Sequence, residues 1–259
     1  MSTEIDIAKA LENAVLWAKE TGRIHLDHFR SQNIDIRTKS NVNDVVTNVD
    51  KESEAFIVRE IEAAFPDHSI LGEESGEHAG TSGYQWLVDP LDGTTNYSQG
   101  LPVFAVSIGL QYNGETVLGV VYAPYLDELY TAVRGKGAFM DGKKIRVSGK
   151  NDLEHSVLGT GFPYDKDVNP DNNTANLAAI LPHLRGLRRM GAASYDLCCT
   201  AAGWLDGYWE MGLNPWDICA GALIVEEAGG CIRSFRRNRG ISIIAGNAGI
   251  VEKIGGIIK

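Results

Sequence analysis

Two carboxylates stand three residues apart around a proline in the run Trp86-Leu87-Val88-Asp89-Pro90-Leu91-Asp92-Gly93-Thr94-Thr95-Asn96-Tyr97. Oxygen donors of this kind bind hard cations such as Mg²⁺. Trp86 to Val88 are β-formers, and Pro90 cannot donate a ladder hydrogen bond, so a strand is expected to stop there with Asp89 and Asp92 at its C-terminal edge. Gly93-Thr94-Thr95-Asn96 then offers capping residues for a helix, whose free N–H groups would suit a phosphate lying beside the carboxylates. The competing reading is turn chemistry alone, which explains most Asp-Pro and Asp-Gly dipeptides.

Three other segments carry acids or a lysine at element ends. Ile34 to Asp50 reads as a short extended piece, a polar loop and a helix start, with Asp50 as an N-cap and Lys39 as a solvated loop lysine. Ser69-Ile70-Leu71-Gly72-Glu73-Glu74 is a strand ending in two acids, which are usually just solvated. Trp216-Asp217 opens a helix, where an aspartate in the first turn is favourable through the helix dipole alone.

Taken together, Lys39 to Asp50, Gly72-Glu73-Glu74, Trp86 to Tyr97 and Trp216 to Gly221 resemble, in order, the motifs of the inositol monophosphatase family, of the Mg-dependent, lithium-sensitive phosphatases. The resemblance implies an α+β / α/β fold, a layered αβαβα sandwich with a mostly antiparallel N-terminal sheet and a mixed C-terminal sheet. It implies one catalytic unit with subdomains 1–150 and 151–259, and a homodimer.

By the same resemblance, Glu73, Asp89 and the Leu91 carbonyl would hold a first Mg²⁺ while Asp89, Asp92 and Asp217 hold a second; a third, weaker cation near Glu73, together with the family's lithium sensitivity, makes inhibition by Li⁺ an expectation. Lys39 would border that site. A water oriented by Thr94 and Asp50 would attack phosphorus in line without a phosphoenzyme, and a second water would protonate the leaving alkoxide. Gly93, Thr94 and Thr95 would meet the phosphate. Gly191-Ala192-Ala193 and Glu210 would contact the hydroxyls of a polyol, a role a carboxylate suits because it can accept from two vicinal hydroxyls.

The implied activity is hydrolysis of inositol monophosphate. Fructose 1,6-bisphosphate, or another sugar or histidinol phosphate, is the first alternative substrate. From another class, some bacterial relatives act as binding partners in transcription complexes. Phosphoadenosine phosphatases usually carry Lys-Glu in place of Thr95-Asn96, and this chain keeps Thr-Thr-Asn. The chain departs from the family after Gly229-Gly230, where Cys231-Ile232-Arg233-Ser234-Phe235-Arg236-Arg237 replaces a common Thr-Asp turn; that basic stretch is read as a solvated hairpin.

Composition bounds these readings. At 259 residues, 44% hydrophobic and 22% charged, the chain can bury a full core. A net charge of −10 argues against a nucleic-acid binder. No run reaches transmembrane length, and Met1-Ser2-Thr3-Glu4-Ile5-Asp6 lacks a signal peptide's regions, so a cytoplasmic protein without membrane contact is expected. Cys198, Cys199, Cys219 and Cys231 show no metal-ligand spacing and read as buried thiols, and His25 and His28 as surface or helix-packing residues. No P-loop and no Gly-x-Ser-x-Gly elbow occurs.

The elements that must position the acids follow from periodicity. Ile7, Leu11, Ala14, Val15 and Ala18 predict an amphipathic helix from about Ile5 to Phe29, and Ile57, Ile61, Ala64 and Phe65 a second one ending at Pro66. Val103 to Leu110, Val117 to Tyr122 and Leu129 to Val133, separated by turn residues, predict an antiparallel meander. After a polar seam near Ser148 to Asp152, strands and helices alternate: Val157 to Thr160, Ala175 to Leu181, Gly186 to Met190, Ser194 to Trp204 and Gly207 to Met211.

Overall fold

Apolar periodicity lays down the frame. A computed structural model describes residues 5–31, 34–41 and 43–259; Met1 to Glu4 and Val42, which entered the readings of the N-terminus and of the Lys39 segment, lie outside the described residues. In chain order the first half runs α1 Ile7–His28, β1 Ile36–Thr38, β2 Val45–Thr47, α2 Asn48–Ala64, β3 Ser69–Gly72, β4 Gly76–His78, β5 Tyr84–Asp92, α3 Thr94–Ser98, β6 Ala105–Tyr112, β7 Glu115–Ala123, β8 Glu128–Val133, β9 Gly137–Met140 and β10 Lys143–Lys144. The second half runs β11 Val157–Thr160, α4 Thr174–Ile180, β12 Gly186–Arg188, α5 Ala193–Ala201, β13 Gly207–Leu213, α6 Pro215–Glu227, β14 Cys231–Arg236, β15 Ile241–Gly246 and α7 Ala248–Gly255.

An eight-stranded sheet has the order β10-β9-β8-β7-β6-β5-β3-β4, and a five-stranded sheet the order β12-β11-β13-β15-β14. The large sheet is antiparallel except where β3 pairs with β5. In the small sheet β11 runs parallel to both β12 and β13, and the remaining pairs are antiparallel.

Three apolar layers hold these sheets between helices, giving the αβαβα sandwich. On one outside face, Trp17, Ile57 and Ile61 of α1 and α2 pack on Trp86, Val106 and Ile108 of the large sheet. On the other, Ile180, Ile250 and Ile254 of α4 and α7 cover Leu158, Trp209 and Ile244 of the small one. Between the sheets, Leu197 of α5 and Leu223, Ile224 and Val225 of α6 fill the space against Val121, Tyr130, Tyr208 and Ile243. Truncating Leu223 to Ala in so closed a layer would cost about 2–5 kcal/mol. The helix lies so close to the sheet that a Cβ on Gly119 of β7 would sit 2.9 Å from the Ala220 Cα.

The structure changes several local expectations. α1 begins at Ile7 because Asp6 caps it, accepting from the Ala8 and Lys9 N–H groups at 3.0 and 3.2 Å. Thr47, not Asp50, is the N-cap of α2; Asp50 is the N3 partner of a capping box. β5 does not stop at Pro90 but continues to Asp92, and the proline's missing donor is absorbed by a break in register with β6 between Asp89 and Asp92.

The Cys231 to Arg237 segment does form one strand of a hairpin, yet it is not simply solvated. Arg236 pairs with Asp171 at 2.6 Å, and Arg239, on the connection to β15, grips both oxygens of Asp165 at 2.7 and 2.9 Å. Cys198, Cys199 and Cys219 are buried, and Cys231 is half-buried. Among the described residues no helix is long and apolar enough to cross a membrane.

Candidate active site

Parallel pairing of β3 with β5 brings two strand ends side by side, and the acids ride on them. Glu73 follows directly after β3, its N–H donating to the Val88 carbonyl at 3.2 Å. Asp89 lies in β5 and is 2% exposed, with the Leu91 N–H donating to its Oδ1 at 3.0 Å. Asp217 comes from the first turn of α6, where its Oδ2 accepts from the Asn214 N–H at 2.7 Å. The helix-capping reading of Asp217 and its presence at the site are both true of one side chain. Glu73, Asp89, Asp92 and Asp217 line a single pocket together with Leu91, Gly93, Thr94, Thr95, Gly191, Ala193 and Glu210.

Not every anticipated residue reaches that pocket directly. Asp50 is fully buried and stands behind Thr94, whose hydroxyl lies 2.9 Å from Asp50 Oδ1 and 3.0 Å from the Leu91 carbonyl. The single hydroxyl proton can serve only one of these acceptors at a time. Asp50 Oδ2 is held by the Thr47 N–H at 2.8 Å and the Thr47 hydroxyl at 2.6 Å. Ala192 is wholly buried in the middle layer between Gly191 and Ala193. Lys39 sits to the side, pairing with Glu73 at 2.8 Å and also with Glu74.

Asp92 does double duty. Its Oδ1 accepts from the Ala193 N–H at 3.1 Å, and its Oδ2 from the Ser194 N–H at 2.7 Å and the Ser194 hydroxyl at 2.5 Å. The carboxylate at the end of β5 therefore caps α5 from outside the helix. Gly93 makes the turn at φ 92, and a Cβ there would come within 2.9 Å of the Val103 carbonyl and 3.2 Å of Ala192 Cβ. Only glycine fits a left-handed position pressed this closely. Asn96 then ties the turn to the far side, donating to the Val103 and Met190 carbonyls at 2.8 and 2.7 Å.

The electrostatics follow from packing acids together. Burial pushes Glu73 up to about 7 against the pull of Lys39. Burial first, then Glu73, Asp92 and Asp217, holds Asp89 well above the usual carboxylate range. Asp217 is raised by burial and by Glu73, Asp92 and Glu210, partly offset by the Asn214 N–H. Burial also raises Asp92, although its Ser194 and Ala193 hydrogen bonds oppose the rise. Burial would lower Lys39, but Glu73 and Glu74 more than reverse it.

Among the described residues no three acids, histidines or cysteines gather into a ready-made cage. An all-oxygen donor set of buried acids, with Lys39 facing Glu73 among them, fits a hard divalent cation.

Glu210 on β13 accepts from the Tyr208 hydroxyl and is pushed by burial up to about 7. A Cβ on Gly161 would collide with its carboxylate, so that glycine keeps room for it.

Several residues at or behind the site had no sequence signal of their own. Phe162, Pro163, Tyr164 and Arg189 line the pocket from segments far from the acidic motifs. Glu54 accepts from the Glu74 and Ser75 N–H groups at 2.9 and 2.6 Å and so shapes the turn after Glu73. Its one available clue was an acid on the buried face of α2, four residues after Asp50 and three before Ile57.

Comparison with known proteins places the whole chain. A model of the inositol monophosphatase family matches residues 6–256. Nus factor SuhB of Pasteurella multocida is 44% identical over 226 residues, spanning 87% of this chain and 85% of that protein. Among solved structures, the extragenic suppressor protein suhB from Bartonella henselae superposes with a TM-score of 0.89 at 38% identity, covering 96% of this chain and 97% of the other. Inositol monophosphatase from Anabaena gives a TM-score of 0.86 at 38% identity, over 97% and 96% of the two chains.

Proposed function

This chain belongs to the inositol monophosphatase family, and from that premise we propose that it is a Mg²⁺-dependent phosphomonoesterase acting on inositol monophosphate and related polyol phosphates. The observation that carries the reading is the lining of one pocket by Glu73, Asp89, Asp92 and Asp217 beside the Thr94 hydroxyl that touches Asp50. The carboxylates of Glu73, Asp89, Asp92 and Asp217, with the Leu91 carbonyl, are the groups that would hold the cations. Mg²⁺ bound there supplies neutralisation of the phosphate oxygens and a more acidic water.

The chain's own groups do the rest. The Thr94 oxygen accepts from the attacking water and orients it, while the Thr94 proton is shared with Asp50 Oδ1. Burial raises Asp50 above its ordinary value, which suits it to take that proton up. Gly93, Thr94 and Thr95 offer N–H donors, and Thr95 its hydroxyl, to the phosphate at the first turn after β5. Across the pocket, Glu210 accepts from hydroxyls of the leaving group, with Gly191 and Ala193 leaving room beside it.

The test is phosphate release from inositol 1-phosphate, fructose 1,6-bisphosphate, histidinol phosphate and phosphoadenosine phosphate, with Mg²⁺ and with EDTA. The proposal expects Mg²⁺-dependent turnover of polyol phosphates that Asp89→Asn abolishes. Absence of turnover on every substrate by a folded, Mg²⁺-binding protein would overturn it. The name Nus factor carried by the Pasteurella relative favours one second reading, a binding role in a transcription complex. Salt-resistant retention by RNA polymerase, undiminished in Asp89→Asn, would separate that role from the chemistry.

A further inference from the structure

The basic stretch after Gly230 runs on into the connection between β14 and β15, and Arg239 on that connection reaches the supports of the pocket. Two segments far apart in sequence build the Glu210 side of the pocket: Phe162, Pro163 and Tyr164 from one, Glu210, Met211 and Gly212 from the other. They touch at Gly212, where an added Cβ would lie 3.2 Å from Pro163 Cβ.

Neither wall is held by its own element. β13 breaks register with β15 between Glu210 and Leu213, and Gly212 sits in that irregularity at φ 80. A bulge takes backbone groups out of the ladder and turns the side chains beside it, so the aim of Glu210 depends on what secures Gly212. The Arg239 carbonyl secures it, accepting from the Gly212 N–H at 3.0 Å and from the Ser242 hydroxyl at 2.9 Å.

The other wall runs into residues 164–171, which form no helix or strand and of which none is buried. Apolar packing therefore does little to fix it. Asp165 gathers the segment locally: its carbonyl accepts from the Val168 and Asn169 N–H groups at 3.1 and 2.9 Å, and its Oδ2 from the Asn169 side chain at 3.1 Å. Asn43 adds one neutral bond, to the Tyr164 carbonyl at 3.0 Å. Arg239 supplies the charged fastening. Its guanidinium donates to both Asp165 oxygens at 2.7 and 2.9 Å, and its Nε to the Asp171 carbonyl at 3.0 Å. Arg236, from the same hairpin, adds a bond to the Asp171 carboxylate at 2.6 Å.

We propose that Arg239 is a positioning residue that holds these two walls in register with each other, and so sets how tightly the pocket grips the leaving group of its phosphomonoester. This deepens the phosphatase reading and rests on it. Arg239 does not line the pocket itself. It acts through its backbone on the bulge that carries Glu210, and through its side chain on the loop that carries Phe162 to Tyr164. A planar fork that spans two carboxylate oxygens and a carbonyl fixes angle as well as distance, which the point charge of a lysine cannot do.

Two measurements test it. In the first, hydrogen exchange of the whole chain is followed in EDTA, without substrate. In Arg239→Ala the amides of 164–171 are expected to exchange at least ~10-fold faster than in wild type, while those of β6 and β7 keep their rates. Arg237→Ala, a charge control on the same connection, leaves both sets where they are. Unchanged exchange at 164–171 in Arg239→Ala overturns the proposal, whether or not the protein hydrolyses anything.

In the second, turnover of inositol 1-phosphate is measured with Mg²⁺, together with inhibition by inorganic phosphate, which reports on the acidic end of the pocket alone. Arg239→Ala is expected to raise KM for inositol 1-phosphate by ~10-fold, with kcat changed less than ~3-fold and the Ki of phosphate less than ~2-fold. Arg239→Lys recovers part of the loss. Asp165→Asn added to Arg239→Ala makes KM little worse, because both changes break the same contact. An unchanged KM, or a phosphate Ki that rises in step with KM, overturns the positioning role. If wild type hydrolyses nothing, the phosphatase reading falls, and the exchange rates alone decide whether Arg239 holds the wall.

Discussion

The Asp92 carboxylate at the end of β5 accepts both the N–H of Ser194, at 2.7 Å, and its hydroxyl, at 2.5 Å, across the boundary between the large sheet and α5. One acid thus faces the pocket and fastens the middle helix layer. Asp92→Asn turns one acceptor oxygen into an amide that confronts an N–H donor. It is expected to lose about 1.5–3 kcal/mol of stability in EDTA together with nearly all phosphatase activity. Ser194→Ala should lose about 1 kcal/mol while retaining measurable turnover. Urea unfolding alongside phosphate release separates the two variants; full stability in Asp92→Asn would refute the fastening role.

Thr94 stands between Asp50 and the pocket. Thr94→Val keeps the shape and removes the hydroxyl that touches Asp50 at 2.9 Å. We expect kcat to fall about 10²–10⁴-fold with little change in KM, and Thr94→Ser to restore most of it. Unchanged kcat in Thr94→Val, with a fall confined to Thr94→Ser, would point to packing of the methyl group instead.

The acids destabilise one another when no cation is present. Asp89 is held well above the carboxylate range by burial and by Glu73, Asp92 and Asp217. A carboxyl whose pKa is raised on folding loses stability as pH climbs from the unfolded value towards the folded one, so at neutral pH the metal-free fold carries this strain. Asp89→Asn should therefore stabilise the protein in EDTA, by an amount of order 1–3 kcal/mol, and abolish the rise in Tm that Mg²⁺ is expected to give the wild type. Thermal melts with and without Mg²⁺ read both effects, and destabilisation in EDTA would contradict the repulsion.

His25 supplies the opposite slope. It is fully buried between Tyr97 and Phe104, and neither ring nitrogen has a partner at hydrogen-bonding geometry, although the Pro90 backbone faces it. Burial lowers it from 6.5 to about 3. The unfolded chain takes up a proton in that window and the folded one does not, so its contribution is intact above 6.5 and is lost as pH falls towards 3. The slope approaches about 1.4 kcal/mol per pH unit. His25→Phe, which suits the aromatic neighbours, should be as stable as wild type at pH 7 and more stable at pH 5. Parallel urea titrations at the two values test this, and equal differences at both would show that His25 does not titrate there.

Legibility divided along a physical line. Elements with a clear period were read well from sequence: α2 and the β6 to β8 meander lie within a few residues of the expected bounds. Asp89, Asp92, Glu73 and Asp217 are legible through the family motifs that contain them, since each acid by itself reads as turn, strand-end or helix-dipole chemistry. Contacts between distant segments left no trace in any spacing. Tyr164 reaches the pocket through a loop with no pattern of its own, Arg189 from just beyond β12 within the expected Gly186 to Met190 strand, and Arg239 finds Asp165 across 74 residues. Pro90 reads in the sequence as a strand end, whereas a shift in register lets β5 carry on to Asp92. The helix α7 had a readable signal in Ile250, Val251 and Ile254 that yielded no expectation.

The middle layer has a consequence for synthesis. The inner face of the large sheet, with Val121 and Tyr130, is covered by α5 and α6, which lie some 60 to 100 residues further along the chain. A nascent chain that has just released β10 therefore holds a sheet with one sticky face bare and only Glu73, Asp89 and Asp92 of its five pocket acids made. At about 5–20 residues per second this exposure lasts several seconds on the ribosome, long enough for that face to meet a chaperone or another nascent chain before α6 arrives to close it.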